Sequence, residues 1–180
     1  MCSSDLEVSL EVTHHGPWMT TPCAFLEIGS TDSTWGHPGA AEVWLDVLCE
    51  LLGDEFEGVQ PPVLNADLPV LITLGGGHYA PRANLMASEP HAILGHMLAR
   101  HSLLFEQGPD GEVGGTWREA VDEVVRSTRA AHPGRRIVVS MDRKSFRGWE
   151  RSPLLDHLDS LGLQVVNAKQ HAAMILEAIG

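Results

Sequence analysis

Two uninterrupted apolar runs constrain this chain more than any other feature. Residues 69–74 read PVLITL, and Ile137–Met141 reads IVVSM. A strand that is apolar at every position is covered on both faces, which is the condition of strands in helix-flanked parallel sheets. Helical periodicity separates these runs. Ala41, Trp44, Val47, Leu48, Leu51 and Leu52 recur at helical spacing after Pro38, which suits a first helical position, and Gly53 ends the run. Trp117, Ala120, Val121, Val124, Val125 and Thr128 mark a second helix ending near Pro133-Gly134. Ser152-Pro153 opens a third, carried through Leu161, and residues 170–179 form a last one. Leu6, Val8, Leu10 and Val12 alternate with polar residues as a strand with one buried face, and residues 24–28 and 163–166 add short strands. Residues 90–99 read as a short helix, 101–106 as a strand and 112–115 as a turn-rich hinge. Strands alternating with helices predict an α/β fold, a three-layer sandwich around a mixed, largely parallel sheet.

At 180 residues and 43% hydrophobic content the chain suits one domain with a sizeable core. No apolar run approaches the roughly 20 residues that cross a bilayer. The N-terminal residues carry no basic and apolar export signal. Cys2, Cys23 and Cys49 are odd in number and far apart, which argues against a disulfide framework or a Cys-rich zinc site. A cytoplasmic protein is the expectation. Twenty-four acids oppose twelve bases. No Lys or Arg precedes Arg82, eight of the twelve bases fall from Arg126 to Arg151, and only Lys144 and Lys169 are lysines. An acidic, lysine-poor surface fits a high-salt cytoplasm. The clustering of the bases also fits one basic face meeting a phosphate backbone, despite the net charge of −12.

Three polar clusters fall where strands end, the place where open α/β sheets gather their sites. His14-His15-Gly16-Pro17 offers a metal ligand or general base, or a solvated surface turn. Glu27, inside an apolar strand, is a ligand, a base, an orienting acceptor, or an edge residue facing water. Gly29-Ser30-Thr31 resembles an anion-cradling turn. Gly75-Gly76-Gly77-His78-Tyr79-Ala80-Pro81-Arg82 allows close backbone approach to a ligand, and its amides could form an oxyanion hole. The Lys-Ser/Thr ending of a Walker loop and the glycine spacing of a Rossmann loop are both absent. His96, after Gly95, is a further candidate. Spacing alone names no reaction.

HHGP (14–17), FLEIGST (25–31) with Trp35 close behind, GGGHYAP (75–81) and Gly95-His96 occur in this order. In that order they resemble the D-aminoacyl-tRNA deacylases of the archaeal and plant type. The resemblance covers about residues 8–101 and is looser beyond, where it rests on Asp142-Arg143-Lys144-Ser145. It implies a fold similar to peptidyl-tRNA hydrolase and the nucleoside phosphorylases. It implies one deacylase domain over residues 1–180 that lacks the family's extra N-terminal segment. The implied activity is hydrolysis of the ester joining a D-amino acid to tRNA, with Zn2+ as cofactor. The implied partner is tRNA carrying a D-amino acid, with neither membrane nor DNA, met by a monomer. His14, His15, Glu27, His78 and His96 become candidates for zinc binding or acid–base work, with ligands and bases undivided. Gly75, Gly76 and Gly77 would present amides near the carbonyl, and Tyr79, Arg82, Thr31 and Trp35 would contact substrate. Arg143, Lys144 and Arg147 are expected along the tRNA backbone. The alternatives are peptidyl-tRNA or nucleoside chemistry, for which Arg82 alone is thin phosphate-binding support, and a non-catalytic tRNA-binding fragment.

Overall fold

The computed structural model describes residues 10–12, 31–52 and 64–180. The chain divides into a unit of residues 16–63 and a larger unit of residues 1–15 and 64–180. In the smaller unit, a turn at residues 32–36 leads into α1 (Pro38–Leu52), with proline at the expected first position.

The larger unit is built on a four-stranded sheet of order β2-β1-β5-β6: β1 (Val70–Leu74), β2 (Ile93–Leu98), β5 (Ile137–Met141) and β6 (Gln164–Val165). All three pairings are parallel. Between these strands run α2 (Pro81–Ala87), the small antiparallel hairpin of β3 (Glu106–Gln107) and β4 (Val113–Gly114), α3 (Trp117–Ala131) and α4 (Gly148–Ser160). The last element is α5 (Ala168–Ile179). The pleat sends Val70, Ile72, Leu74, Ile137, Val139 and Met141 into one core with Trp117, Val121 and Val125 of α3 and Leu154 and Leu158 of α4. Leu71 and Val138 point the other way, to Met86 of α2 and Val166. This two-sided burial is why β1 is apolar except at Thr73, and it produces the expected three-layer arrangement. Among the described residues, no helix is long and apolar enough to cross a membrane.

Several elements differ from the sequence reading. Residues 93–98 are a strand, not part of a helix, and residues 101–106 hold a short 3-10 turn before β3 rather than a long strand. Ile93 and Met97 mimic a helical repeat because a register irregularity opposite Leu71 and Ile72 puts His96 beside Ile72. Gly95 makes this possible: a Cβ there would stand 2.7 Å from Thr128 Cγ2. Helix α2 was not expected, although Pro81 supplies a proline N-terminus. Helix α4 begins at Gly148, before Pro153, because the Glu150 carboxylate accepts a hydrogen bond from the Arg147 amide at 2.7 Å. Residues 10–12 carry no strand, and Leu10 is 47% exposed while Val12 is buried. The expected strand at 24–28 lies outside the described residues.

Candidate functional site at the switch point of the sheet

From β1 the chain crosses to β2 on one side, and β5 lies on the other. The strands stay paired to their last residues, Leu74 and Met141, and the order of the sheet reverses there, which is where open α/β sheets place a crevice. Gly75 and Gly76 leave β1 with φ of 94° and 83°, a left-handed path that favours glycine. The Gly75 amide donates to Leu98 O at 2.8 Å and the Gly76 amide to Ser145 Oγ at 2.8 Å. Ser145 Oγ in turn donates to Asp142 Oδ2 at 3.0 Å. A Cβ on Gly75 would stand 2.8 Å from Phe146 Cε2 and 3.1 Å from Ser145 Cβ. These two glycines are therefore needed for a tight turn packed under residues 142–146. Their amides are spent on the fold, which corrects the expectation of a three-amide oxyanion hole. Among the described residues, only the Gly77 amide of the three makes no hydrogen bond. Gly75→Ala is expected to cost about 2–4 kcal/mol through its positive φ and the displaced Phe146, measured by urea unfolding.

His78 lies beyond this turn. Its Nε2 is 2.9 Å from Glu11 Oε2, and its carbonyl accepts from the Val12 amide at 3.1 Å. Asn84 holds the same N-terminal segment, taking the Leu10 amide on Oδ1 at 2.7 Å and donating through Nδ2 to Leu10 O and Tyr79 O. Tyr79 is exposed and meets the His78 ring edge-on at 4.9 Å. Glu11 is the residue that sequence reading missed. It looked like the wet face of a strand, and its partner is 67 positions away.

Beside the loop is a cavity of about 640 Å3 between α2, the β5–α4 turn and the start of α5. Gly75, Gly76 and Arg82 form part of its wall, as do Asp142, Arg143 and Lys144. Leu85, Met86, Met141, Val165 and Val166 give it an apolar lining. Arg82 Nη1 is 3.7 Å from Asp142 Oδ1. Thr73 also lines the cavity; it is 5% exposed and its hydroxyl has no hydrogen-bond partner. Gly77, His78 and Tyr79 are not part of this wall.

His96 belongs to the face covered by α3, with Nδ1 3.0 Å from Thr128 Oγ1. Thr31 caps its own turn through Thr34 and Ser33, and Trp35 is exposed. His14, His15 and Glu27 lie outside the described residues. Among the described residues, no three His, Cys, Asp or Glu side chains gather to hold a metal. The basic cluster divides in two. Arg126 pairs with Glu123, Arg129 donates to Leu161 O, Arg135 to Leu64 O and Asn65 O, and Arg136 to Gln164 Oε1. Arg143, Lys144 and Arg147 are exposed, and among the described residues their side chains make no hydrogen bond or ion pair.

Burial pushes His96 and His171 below the ordinary imidazole value, against the opposing pull of Glu123 and Glu89. His171 is fully buried with both ring nitrogens unpartnered. The folded state thus binds fewer protons than the unfolded chain. Stability from these groups is complete above about pH 6.5 and falls as pH drops toward the lowered folded values. Thermal unfolding at pH 7.5 and 5.5 is expected to show lower stability at 5.5. His171→Leu is expected to narrow that gap.

Residues 2–166 match the family profile described as D-aminoacyl-tRNA deacylase. The chain belongs to this family. A D-aminoacyl-tRNA deacylase of Arabidopsis thaliana is 35% identical over 170 residues, covering 89% of this chain and 54% of the relative. One from Methanosarcina mazei is 31% identical over 165 residues, covering 91% and 46%. A crystal structure of a conserved protein of unknown function superposes with a TM-score of 0.58 at 25% identity, covering 92% of this chain and 50% of that one. The chain spans about half the length of the curated deacylases it matches.

Proposed function

We propose that this chain hydrolyses the ester between a D-amino acid and the terminal ribose of tRNA, freeing both. Membership of the deacylase family supports the reaction class. The observation that carries the mechanism is the His78–Glu11 pair beside the Gly77 amide. An aminoacyl ester is already activated, so catalysis needs a positioned water and a donor for the developing oxyanion. His78 takes a proton from water as the oxygen attacks the ester carbonyl, and Glu11 stabilises the resulting imidazolium. The Gly77 N–H donates to the carbonyl oxygen as it becomes anionic. Collapse breaks the bond to the ribose oxygen, which takes the proton back from His78. A loop of glycines presents backbone and no side chain, so chirality can be read by where the amino acid's side chain meets that wall. Arg143, Lys144 and Arg147 meet the tRNA phosphates, and the protein works as a monomer in the cytoplasm. Release of D-tyrosine from charged tRNA, with no release of L-tyrosine, is the expected result. Equal release of both, or of neither by a full-length relative, overturns the reading.

Zinc does not fit the described residues taken alone. A catalytic site needs about three protein ligands, and here His78 is turned to Glu11 and His96 to Thr128. Deacylation measured with and without a chelator tests whether a metal takes part. Loss with chelator and return with zinc would make His78 a ligand, in company with His14, His15 or Glu27.

A further inference from the structure

Two segments 67 positions apart meet to form the His78–Glu11 pair, and one side chain touches both. Asn84 stands half-buried on α2, a helix seated by buried Ala83 and Met86. Its side-chain amide acts as the peptide group of a neighbouring strand would. Oδ1 accepts from the Leu10 amide at 2.7 Å, and Nδ2 donates to Leu10 O at 2.6 Å and to Tyr79 O at 2.7 Å. Both amide hydrogens are thus used. We infer that Asn84 is a positioning residue that places Glu11 against His78 and acts on the reaction only through that pair. This rests on the reading of His78 as the general base.

Residues 10–12 belong to no strand, so no ladder fixes where Glu11 lies. Two anchors flank it instead. On one side Val12 is buried among Ala80, Ala83, Met97 and Ala99, and its amide donates to His78 O at 3.1 Å. On the other side the Leu10 side chain is exposed and gives no apolar hold. The place of Leu10 is set by Asn84. A chain fixed at Val12 alone can pivot, and a chain fixed at both ends cannot. Glu11 and His78 are each part-exposed, so water competes for both, and their contact depends on where the main chain puts the carboxylate. The same residue also holds the other partner. Ala80, two positions after His78, is buried with φ of 31°. A left-handed alanine persists only where its surroundings impose it. Asn84 takes the carbonyls on both sides of that strain, Tyr79 O with its side chain and Ala80 O with its own amide at 3.0 Å. Arg82, Leu85 and Met86 of the same helix wall the cavity, and Asn84 is not part of that wall. Its effect is therefore expected on the chemical step and not on tRNA binding.

The test measures Asn84→Ala in the full chain, alone and combined with Glu11→Gln or His78→Ala, by turnover of D-tyrosyl-tRNA and by the NMR signals of the His78 ring. Alanine favours helix, so α2 itself is kept. Asn84→Ala is expected to lower kcat about tenfold with KM unchanged. Added to Glu11→Gln or to His78→Ala, it should lower kcat by less than about twofold more, since it has no other route to the reaction. The His78 ring signals should move to the positions they take in Glu11→Gln. Asn84→Asp keeps the acceptor for the Leu10 amide, loses both donors and sets a carboxylate against two carbonyls. It is expected to be as slow as Asn84→Ala, and its near-identical shape keeps the test open if the alanine variant does not fold. A full tenfold loss on top of Glu11→Gln, a change confined to KM, or an Asn84→Asp enzyme as fast as the unaltered one overturns the assignment. So do ring signals that stay where they were. The two readings fail separately. Deacylation that is absent, or indifferent to His78→Ala, sinks the general base, and the ring signals still decide whether Asn84 places Glu11. Unmoved ring signals beside a slow His78→Ala enzyme sink the role of Asn84 alone.

Discussion

His78→Ala lowers kcat on D-tyrosyl-tRNA by about 10²–10⁴-fold, the range that a positioned general base supplies. KM changes little, because the base acts on water and not on the bound tRNA. Folding is spared, since the ring is 39% exposed and belongs to no apolar core. Glu11→Gln keeps a hydrogen-bond acceptor of the same shape but removes the charge that stabilises the imidazolium. Its loss should be smaller, about 10–100-fold, as for other groups that orient a working histidine. The double variant is expected to be no slower than His78→Ala, since Glu11 works only through the ring. Additive losses would show that Glu11 acts elsewhere.

How much of this site was legible depended on where each residue's partner lies in the chain. The strands β1 and β5 could be read because their burial is written in their own residues. Helix α3 could be read for the same reason, since its apolar stripe faces one core. Strand β2 was misread because Gly95 and a shifted register disguised it with a four-residue apolar repeat. The start of α4 was misread because Pro153 looked like an opening, while the Glu150 cap that sets the start is visible only as a contact. The GGGHY segment stands out in the sequence, yet the amides of Gly75 and Gly76 are spent on the fold. Nothing local says that the Gly76 amide is spent on Ser145, 69 positions away. The basic cluster shows the same limit. Arg143 and Lys144 differ from Arg135 and Arg136 only in what surrounds them after folding.

The largest loss of stability is expected at Arg100, which no motif marks. Its amide donates to Gly76 O at 3.1 Å, and its Nε donates to Ser145 O at 3.2 Å. Nη1 donates to Leu103 O, and Nη2 pairs with Glu150 Oε1 at 2.7 Å. Glu150 is 2% exposed and also caps α4. The Arg100 main chain thus meets the loop after β1, while its guanidinium ties the residues after β2 to the turn after β5 and neutralises a buried carboxylate. Removing it leaves that carboxylate uncompensated in the core. Arg100→Met should therefore cost about 3–5 kcal/mol, the usual penalty for breaking a buried pair from one side. For a chain of this size that is a fall of roughly 10 °C in Tm. Glu150→Gln alone should cost less, because Arg100 is 30% exposed and can turn its charge to water. Adding Glu150→Gln to Arg100→Met should recover part of the loss, since the amide still caps α4 and brings no charge into the core. If the double variant is as unstable as the sum of the two singles, the ion pair is not what holds these loops. The carbonyls of Leu103 and Ser145 would then carry the effect. A variant that keeps its fold should still lose deacylation, because Gly76 and Ser145 set the turn that presents Gly77 and His78.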